Sequence, residues 1–414
     1  MSKSHHVIVG ASIAGVSAAV SMRENGFDGS ITIVEAENRA PYERPPLSKS
    51  ADDPDKALRP LLPPDDYSAR KIDLRLGTRV ERLDVDRKRV VLGDGDELHA
   101  DQVLLATGVS ARRLGVPGED LDNVLTLRNA DDASSIFSRF ASGGPLVIVG
   151  GGFIGLEAAA VARTLGIDVT IVEAEELPLL RPLGRSAAEL VMELHRGRGV
   201  RVLTTRSVSA FLGTTAVEQV QLADGETLPA ATVIVGCGVV PNDQLAAAAG
   251  VYCDKGIVGD AFGRTSLQSI WAAGDVVSRP HPCLAGRERI EHWDVALRHG
   301  TAVGASMVGH ATPSNELLYY WSDQYGLTLQ AYGRGRPGDE IVLRDGATPD
   351  RFLVFWLRNG TLAAVAGLAE PKAVRSAKGL VEARATVSPA QLADPSTNLR
   401  DLARDVSRRT SATV

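Results

Sequence analysis

Short apolar runs recur along the chain and end at glycine: Val7-Ile-Val-Gly10, Val103-Leu-Leu-Ala-Thr-Gly108, Leu146-Val-Ile-Val-Gly150 and Thr232-Val-Ile-Val-Gly236. Runs of this length without polar alternation predict strands buried on both faces of a parallel sheet. Two of them, at Val7 and Leu146, lead into helical stretches that stop at Gly26 and Gly166, and each helix is followed by a further strand, Ile31–Glu35 or Asp168–Glu173. The unit of strand, turn, helix and strand therefore occurs twice, offset by about 140 residues. Ile72–Val80 and Arg89–Leu92 also read as strands, and 50–66, rich in Asp and Pro, as an exposed loop. After Leu317 the character changes. Strand-like runs at 319–321, 327–333, 340–344, 351–358 and 362–368, with Asp345-Gly346 and Asn359-Gly360 as hairpin turns, precede helices around 374–382 and 389–392. This predicts an antiparallel sheet with helices on one face, and a tail, 405–414, of disorder-like composition.

The spacing inside the second unit has a chemical reading. Gly150 lets the chain turn sharply, Gly152 removes a side chain that would block a pyrophosphate, and Gly155 lets helix and strand pack closely, with Ile154 between them. The helix start offers N–H groups and a positive dipole end to phosphates. Glu173 closes the following strand, where a carboxylate accepts hydrogen bonds from a ribose 2′-hydroxyl and repels a 2′-phosphate, so NADH is expected over NADPH. The first unit repeats this with Gly10, Ser12, Gly15 and Glu35, serine replacing the middle glycine. Two such units imply two dinucleotides and a fold of class α/β with two Rossmann-like domains and a C-terminal α+β domain. The strands ending at Ala106-Thr107-Gly108 and at Gly236-Cys-Gly238 fall where the chain crosses between nucleotide domains. The expected divisions are 1–109 with 239–315, 110–238, and 316–414.

Composition narrows the class without naming the chemistry. At 414 residues, 44% hydrophobic and 23% charged, the chain has the length for two or three domains, and a net charge of −6 argues against nucleic acid or an anionic membrane as its main partner. No segment has the ~20 uninterrupted apolar residues of a membrane span, and the N-terminus lacks a signal-peptide core, so a cytoplasmic location is expected. Cys237, Cys253 and Cys283 stand singly, without C-x-x-C, zinc or iron–sulfur spacing. Redox chemistry through a cysteine pair is thereby excluded, no metal site is expected, and any iron belongs to a partner.

Two further stretches stand out. In Pro41-Tyr-Glu-Arg44-Pro45-Pro46-Leu47-Ser48-Lys49, consecutive prolines predict an extended backbone that holds side chains without joining a sheet, or a solvated turn. In Trp271-Ala-Ala-Gly274-Asp275, a carboxylate follows a strand end and a close-approach glycine, suited to a polyol chain or to a helix cap.

The ordered set of Gly10-x-Ser12-x-x-Gly15, Glu35, Arg44-Pro-Pro-Leu-Ser-Lys49, Ala106-Thr-Gly108, Gly150 to Glu157, Gly274-Asp275, Glu291-His-Trp293 and Trp321-Ser-Asp-Gln-Tyr325 resembles the FAD-dependent NADH:ferredoxin reductases, across almost the whole chain. That family includes putidaredoxin reductase, rubredoxin reductase and the reductase components of aromatic-ring dioxygenases. The resemblance implies a glutathione-reductase-like arrangement with FAD and NADH as cofactors. It places Ala14, Glu35, Arg44, Lys49, Val80, Arg128 and Asp275 at FAD positions, Glu35 on the adenosine ribose and Asp275 on the ribityl chain. Lys49 would lie near the reactive edge of the isoalloxazine, paired with Glu157, which would also reach the nicotinamide amide. Trp293 would border the flavin, with Trp321 approaching from the C-terminal domain. The shortened, Pro-rich segment after Lys49 departs from the family.

NADH delivers two electrons together and a two-iron ferredoxin accepts one, so the resemblance implies a flavin that stores the second. The expected acceptor is an acidic two-iron ferredoxin serving a haem monooxygenase or ring-hydroxylating dioxygenase. Arg334, Arg336, Lys372, Arg375 and Lys378 are candidates to steer it, although solvated charge is the readier account of any one of them. The chain is expected to be a monomer or weak homodimer. Two other readings share the motifs: a reductase of rubredoxin or another acceptor, and an NADH-sensing flavoprotein resembling apoptosis-inducing factor.

Overall fold

The computed structural model describes residues 4–49, 58–284 and 286–411. These fall into two compact units, one built from 4–44, 58–110 and 239–316, the other from 45–49, 111–238 and 317–411.

The first unit is built on a parallel sheet whose spatial order is Ile270–Ala272, Gln102–Leu105, His5–Val9, Ser30–Val34, Ile72–Arg75. His5–Val9 lies at the centre, with Val9 opposite both Val34 and Leu105. Successive side chains enter two apolar clusters, Val7 and Leu105 in one and Ile8, Ile33 and Leu104 in the other, so all five are wholly buried, as an uninterrupted apolar run requires. Helix Ile13–Glu24 crosses helix Trp293–Met307 at backbone distance: a Cβ on Gly300 would stand 2.2 Å from the Ala14 carbonyl oxygen, and one on Gly304 2.3 Å from that of Ala18. A three-stranded antiparallel sheet, Val80–Asp84, Arg89–Leu92 and Glu97–His99, belongs to the same unit.

The second unit repeats the plan. Its parallel sheet runs Arg201–Leu203, Val169–Val172, Leu146–Val149, Thr232–Val235, Val124–Leu125, and it too has a three-stranded antiparallel appendage, Val208–Leu212, Gln219–Leu222 and Thr227–Pro229. It also contains the C-terminal sheet, ordered Tyr319–Gln324, Leu327–Gly333, Thr361–Leu368, Phe352–Arg358, Glu340–Leu343 and antiparallel throughout. Helices Pro371–Glu382 and Leu399–Ser411 lie with its apolar residues, where Val374, Ala377 and Leu380 are fully buried.

Several expectations need correction. The Ile72 run is not one strand: Gly77, at φ +64°, breaks it, and Val80 begins a strand of another sheet. Pro45–Ser48 is not extended but a 3-10 turn closed by Lys49 N–H donating to the Pro46 carbonyl at 3.0 Å, because proline's fixed φ suits this turn as well as an extended chain. Of the expected 50–66 loop, 50–57 lie outside the described residues, and Pro64–Ala69 is a helix, with proline at its first position and two aspartates in its first turn. Of the disorder-like tail, 412–414 lie outside the described residues and 405–411 are the end of helix Leu399–Ser411, whose apolar residues Leu402, Ala403 and Val406 recur on one face and pack on the C-terminal core. Asn359-Gly360 joins two strands with both residues at positive φ, as its sequence demands, whereas Asp345-Gly346 sits inside the longer connection 344–351.

Candidate functional site

Each central strand ends at a glycine in a conformation that side chains resist: Gly10 at φ +106° and Gly150 at φ +108°. A Cβ on either would stand 2.4 Å from a carbonyl oxygen of the neighbouring strand's end, that of Ala106 or of Gly236. Five residues on, Gly15 and Gly155 let the helix start touch the turn, since Cβ atoms there would lie 2.0 and 2.2 Å from the carbonyl oxygens of Gly10 and Gly150. The helices begin at Ile13 and Phe153 behind Ser12 and Gly152, which make no side-chain cap, and neither first turn carries an acid. Both helix starts therefore keep their N–H groups and positive dipole end available.

The two carboxylates match as well. Glu35 accepts from Ala11 N–H at 2.6 Å and from Glu37 N–H at 3.0 Å, while Glu173 accepts from Gly151 N–H at 2.6 Å and from Glu175 N–H at 2.8 Å. Each clamps its glycine turn to the loop beyond the second strand. Carboxylate oxygens have further lone pairs, so the clamp leaves acceptor capacity for ribose hydroxyls.

The first unit collects Gly10, Ser12, Ala14, Gly15, Glu35, Arg44, Val80, Ala106, Thr107, Gly108, Gly274, Asp275 and Trp293. Arg44 reaches Ser12 Oγ at 3.4 Å and pairs with Glu37 at 2.8 Å. Ala14 is confined by its neighbours: a Cβ on Gly274 would stand 2.8 Å from the Ala14 methyl. Gly274 N–H donates to Nδ1 of His299, an imidazole whose pKa burial holds well below the usual histidine value. Thr107 and Gly108 are tied to Asn242 by Thr107 Oγ1 donating to its carbonyl at 2.7 Å and Asn242 N–H donating to Gly108 at 3.0 Å. Asp275 lies in the turn Gly274–Val276, and Trp293 opens helix Trp293–Met307.

The second unit collects Pro45, Lys49, Arg128, Gly150, Gly152, Ile154, Gly155, Glu157, Glu173, Gly238 and Trp321. Arg128 N–H donates to Asp132 at 2.7 Å beside the Asn129 capping box, and Gly238 receives Arg112 N–H at 2.9 Å. Trp321 is partly buried in strand Tyr319–Gln324 and stacks on Tyr319, ring centroids 5.8 Å apart. Glu157 is not a solvated helix acid. It is 3% exposed and pairs with Lys49 Nζ at 2.7 Å. Ser48 Oγ donates to the same oxygen, Oε2, while Ser322 Oγ at 2.6 Å and Asp323 N–H at 3.3 Å donate to Oε1. A buried carboxylate costs little only when paired and hydrogen-bonded, and Glu157 is both.

Sequence reasoning placed Ser48 and Ser322 inside its motifs without assigning them a task. It missed His195 entirely. That residue's bonding partners, Gln324 and Tyr325, lie far along the chain, and its one local signal is its place on the buried face of helix Leu180–Gly197. Of the basic residues considered for steering, Lys378 pairs with Glu382 at 3.4 Å and sits over the Tyr332 ring. Among the described residues no cluster of metal-ligating side chains occurs, and no helix is long and apolar enough to cross a membrane.

The residues at both turns fit a dinucleotide. Space is open where a Cβ on Gly152 would project, with no atom within 4 Å. The three cysteines are separate free thiols.

A family model described as pyridine nucleotide-disulphide oxidoreductase matches 4–300, and one described as reductase C-terminal matches 319–403. The ferredoxin reductase component of chlorobenzene dioxygenase from Cupriavidus sp. (strain PS12) is 37% identical over 97% of this chain and 98% of its own. Rhodocoxin reductase from Rhodococcus erythropolis is 37% identical over 95% of this chain and 93% of its own. The crystal structure of the covalent putidaredoxin reductase–putidaredoxin complex superposes with a TM-score of 0.93 at 33% identity, covering 98% of this chain and all of that one. With its twin glycine turns, two clamping carboxylates and reductase C-terminal sheet, the chain belongs to the pyridine nucleotide-disulphide oxidoreductase family, which binds FAD and depends on NAD(P).

Proposed function

We propose that this chain is an NADH-dependent ferredoxin reductase that supplies single electrons to an acidic two-iron ferredoxin, and through it to a haem monooxygenase or ring-hydroxylating dioxygenase. The observation that carries this reading is the duplicated clamp, Ala11 to Glu35 and Gly151 to Glu173, in a chain without a cysteine pair. Relatives named as ferredoxin reductase components of dioxygenase systems support the acceptor. FAD, when bound, accepts two electrons together and releases them one at a time.

The chain's own residues then divide the work. Gly10, Ser12, Ala14, Gly15, Glu35, Arg44, Val80, Ala106, Thr107, Gly108, Gly274 and Asp275 in the first unit would hold FAD, with Trp293 against the flavin. Gly150, Gly152, Ile154, Gly155, Glu173 and Gly238 would hold NADH. Glu173, placed to accept from ribose hydroxyls, disfavours a 2′-phosphate by charge. Lys49 supplies a positive charge and Glu157 an acceptor for the nicotinamide amide, each fixed in direction by the other. The expected compartment is the cytoplasm, where NADH is supplied, and the expected state a monomer or weak homodimer.

The test is steady-state turnover of NADH with a purified two-iron ferredoxin. Rapid reduction that slows as salt is added supports both the acceptor and electrostatic steering. Protein that remains colourless when offered FAD, or flavin that NADH does not bleach, overturns the reading.

A further inference from the structure

Helix Leu180–Gly197 buries His195 completely, and both ring nitrogens are engaged: Nε2 lies 2.9 Å from Gln324 Oε1 and Nδ1 3.0 Å from the Tyr325 hydroxyl. The bonds continue inward. Gln324 Nε2 is 3.1 Å from Ser322 Oγ, which is 2.6 Å from Glu157 Oε1.

Donor and acceptor chemistry fixes the direction of every step. A carboxylate only accepts, so the Ser322 hydroxyl gives it its hydrogen and must itself receive one from Gln324. That turns the Gln324 amide oxygen toward His195, whose Nε2 therefore carries a hydrogen, and Nδ1 is left to accept from Tyr325. All the bonds run one way, from Tyr325 to Glu157, so each polarises the next. Burial lowers the His195 pKa to about 4, which keeps the ring neutral at physiological pH.

The outer end shows a conformational cost. Tyr325 and Gly326 form the two-residue turn between strands Tyr319–Gln324 and Leu327–Gly333, and Tyr325 stands at φ +54°, where Asn, Asp or Gly is ordinarily favoured. The aromatic residue is held there by its bond to His195 and by the Arg198 guanidinium, 5.2 Å from the ring centroid. Backbone strain of this kind persists where the surroundings impose it, often at functional sites.

We propose that His195, with Gln324 and Tyr325, is a positioning device for Glu157: a one-way hydrogen-bond chain that occupies Oε1, leaves Oε2 for Lys49, and aims the carboxylate at the nicotinamide amide. The last clause rests on the assignment of Glu157 under the proposed function; the chain itself does not. A proton relay is not implied, because the Gln324 amide does not readily pass a proton through.

The test uses FAD-loaded protein labelled with 15N-histidine. The His195 resonance, identified by its loss in His195→Gln, should show the neutral Nε2–H tautomer at neutral pH, and its ring proton should shift in Glu157→Gln, where the charged end of the chain is removed. The opposite tautomer, or a ring proton indifferent to Glu157→Gln, overturns the proposal. By calorimetric titration, His195→Leu should weaken NAD+ binding roughly fivefold, while His195→Gln, whose amide can still donate to Gln324, should return most of it. Leu and Gln variants that bind alike overturn a positioning role. Should His195→Leu fail to retain flavin, Tyr325→Phe on the partly exposed turn replaces it, with a weakening of about twofold. If Glu157→Gln binds NAD+ as tightly as the unmodified protein, the nicotinamide assignment fails instead, and the tautomer and its response still decide the chain.

Discussion

The two nucleotide turns exclude the same atoms at nearly the same distances, yet the helices that follow them are used differently. A Cβ on Gly10 or on Gly150 would stand 2.4 Å from a carbonyl oxygen, and Glu35 and Glu173 both clamp a turn N–H at 2.6 Å. Past the first helical turn the likeness ends. Ser17 in the first helix corresponds to Glu157 in the second, and what packs on each helix differs accordingly. Helix Ile13–Glu24 is met by Gly300 and Gly304, which admit backbone and nothing else, whereas helix Phe153–Thr164 is met by Ser48, Lys49 and Ser322, which bring donors to a buried charge. The shared geometry binds a dinucleotide. The difference is that the second helix carries a buried ion pair, Glu157 with Lys49, at the position where the first has Ser17.

The largest effect should come from breaking one turn at a time. In Gly15→Ala or Gly155→Ala the new methyl meets a backbone oxygen at 2.0 or 2.2 Å, so the helix start must move away from its turn. At a cost of about 3 kcal/mol, each should weaken its own nucleotide roughly a hundredfold. Gly155→Ala should stay yellow and lose NAD+ binding, and Gly15→Ala should lose flavin, as read by absorbance and calorimetry. Loss of both nucleotides in both variants would show that the two turns are not independent.

Next in size is the buried pair that has no counterpart in the first unit. Lys49→Met leaves Glu157 at 3% exposure without its cation. Breaking a buried pair from one side costs about 3 kcal/mol, and the double variant with Glu157→Gln should recover part of it, because the uncompensated charge is gone. Melting temperatures of the four proteins give the coupling, and simple additivity would mean that the serines alone satisfy the carboxylate.

The resemblance anticipated that pair, and it is in the pair's surroundings that sequence reading stops. The glycine turns, the strands beside them and both clamping carboxylates were legible because each rests on a local requirement: Gly10 and Gly150 on backbone conformation, Glu35 and Glu173 on the distance from turn to strand end. The Arg44–Lys49 stretch was recognised from composition and resemblance, but extended chain and turn both stayed open there, since prolines permit both conformations. Tyr325-Gly326 was passed over as a hairpin because an aromatic residue is an unusual choice at positive φ. His195 was invisible for a more general reason. A buried histidine is chosen by what surrounds it, and its partners arrive from a strand that begins at Tyr319.

Acid should affect both units through neutral buried histidines. His6 in the first unit and His195 in the second have pKa values lowered to about 4 by burial, against 6.5 for an unhindered imidazole. Between these values the unfolded chain binds more protons than the folded one, so stability is full above about pH 6.5 and falls as pH drops toward 4. A melting temperature that declines over this window, and declines less in His195→Gln, is the expected result. A flat profile would mean that these rings are protonated in the folded protein.

The smallest effect tests the likeness itself. Glu35→Gln and Glu173→Gln each keep one amide oxygen but replace the other with an NH2 group, which cannot accept from a backbone N–H. If the amide oxygen stays on the turn, the bond given up is the outer one, Glu37 N–H in the first unit and Glu175 N–H in the second. A loss of about 1 kcal/mol, or roughly fivefold in affinity, follows for FAD in one variant and NAD+ in the other. Glu173→Gln should also narrow the preference for NADH over NADPH, since it removes the charge that opposes a 2′-phosphate. Equal losses in the two variants would confirm that the carboxylates do one job in two places. A much larger loss at Glu35 would show that it carries more of its nucleotide than its twin, and that the duplication is one of form more than of function.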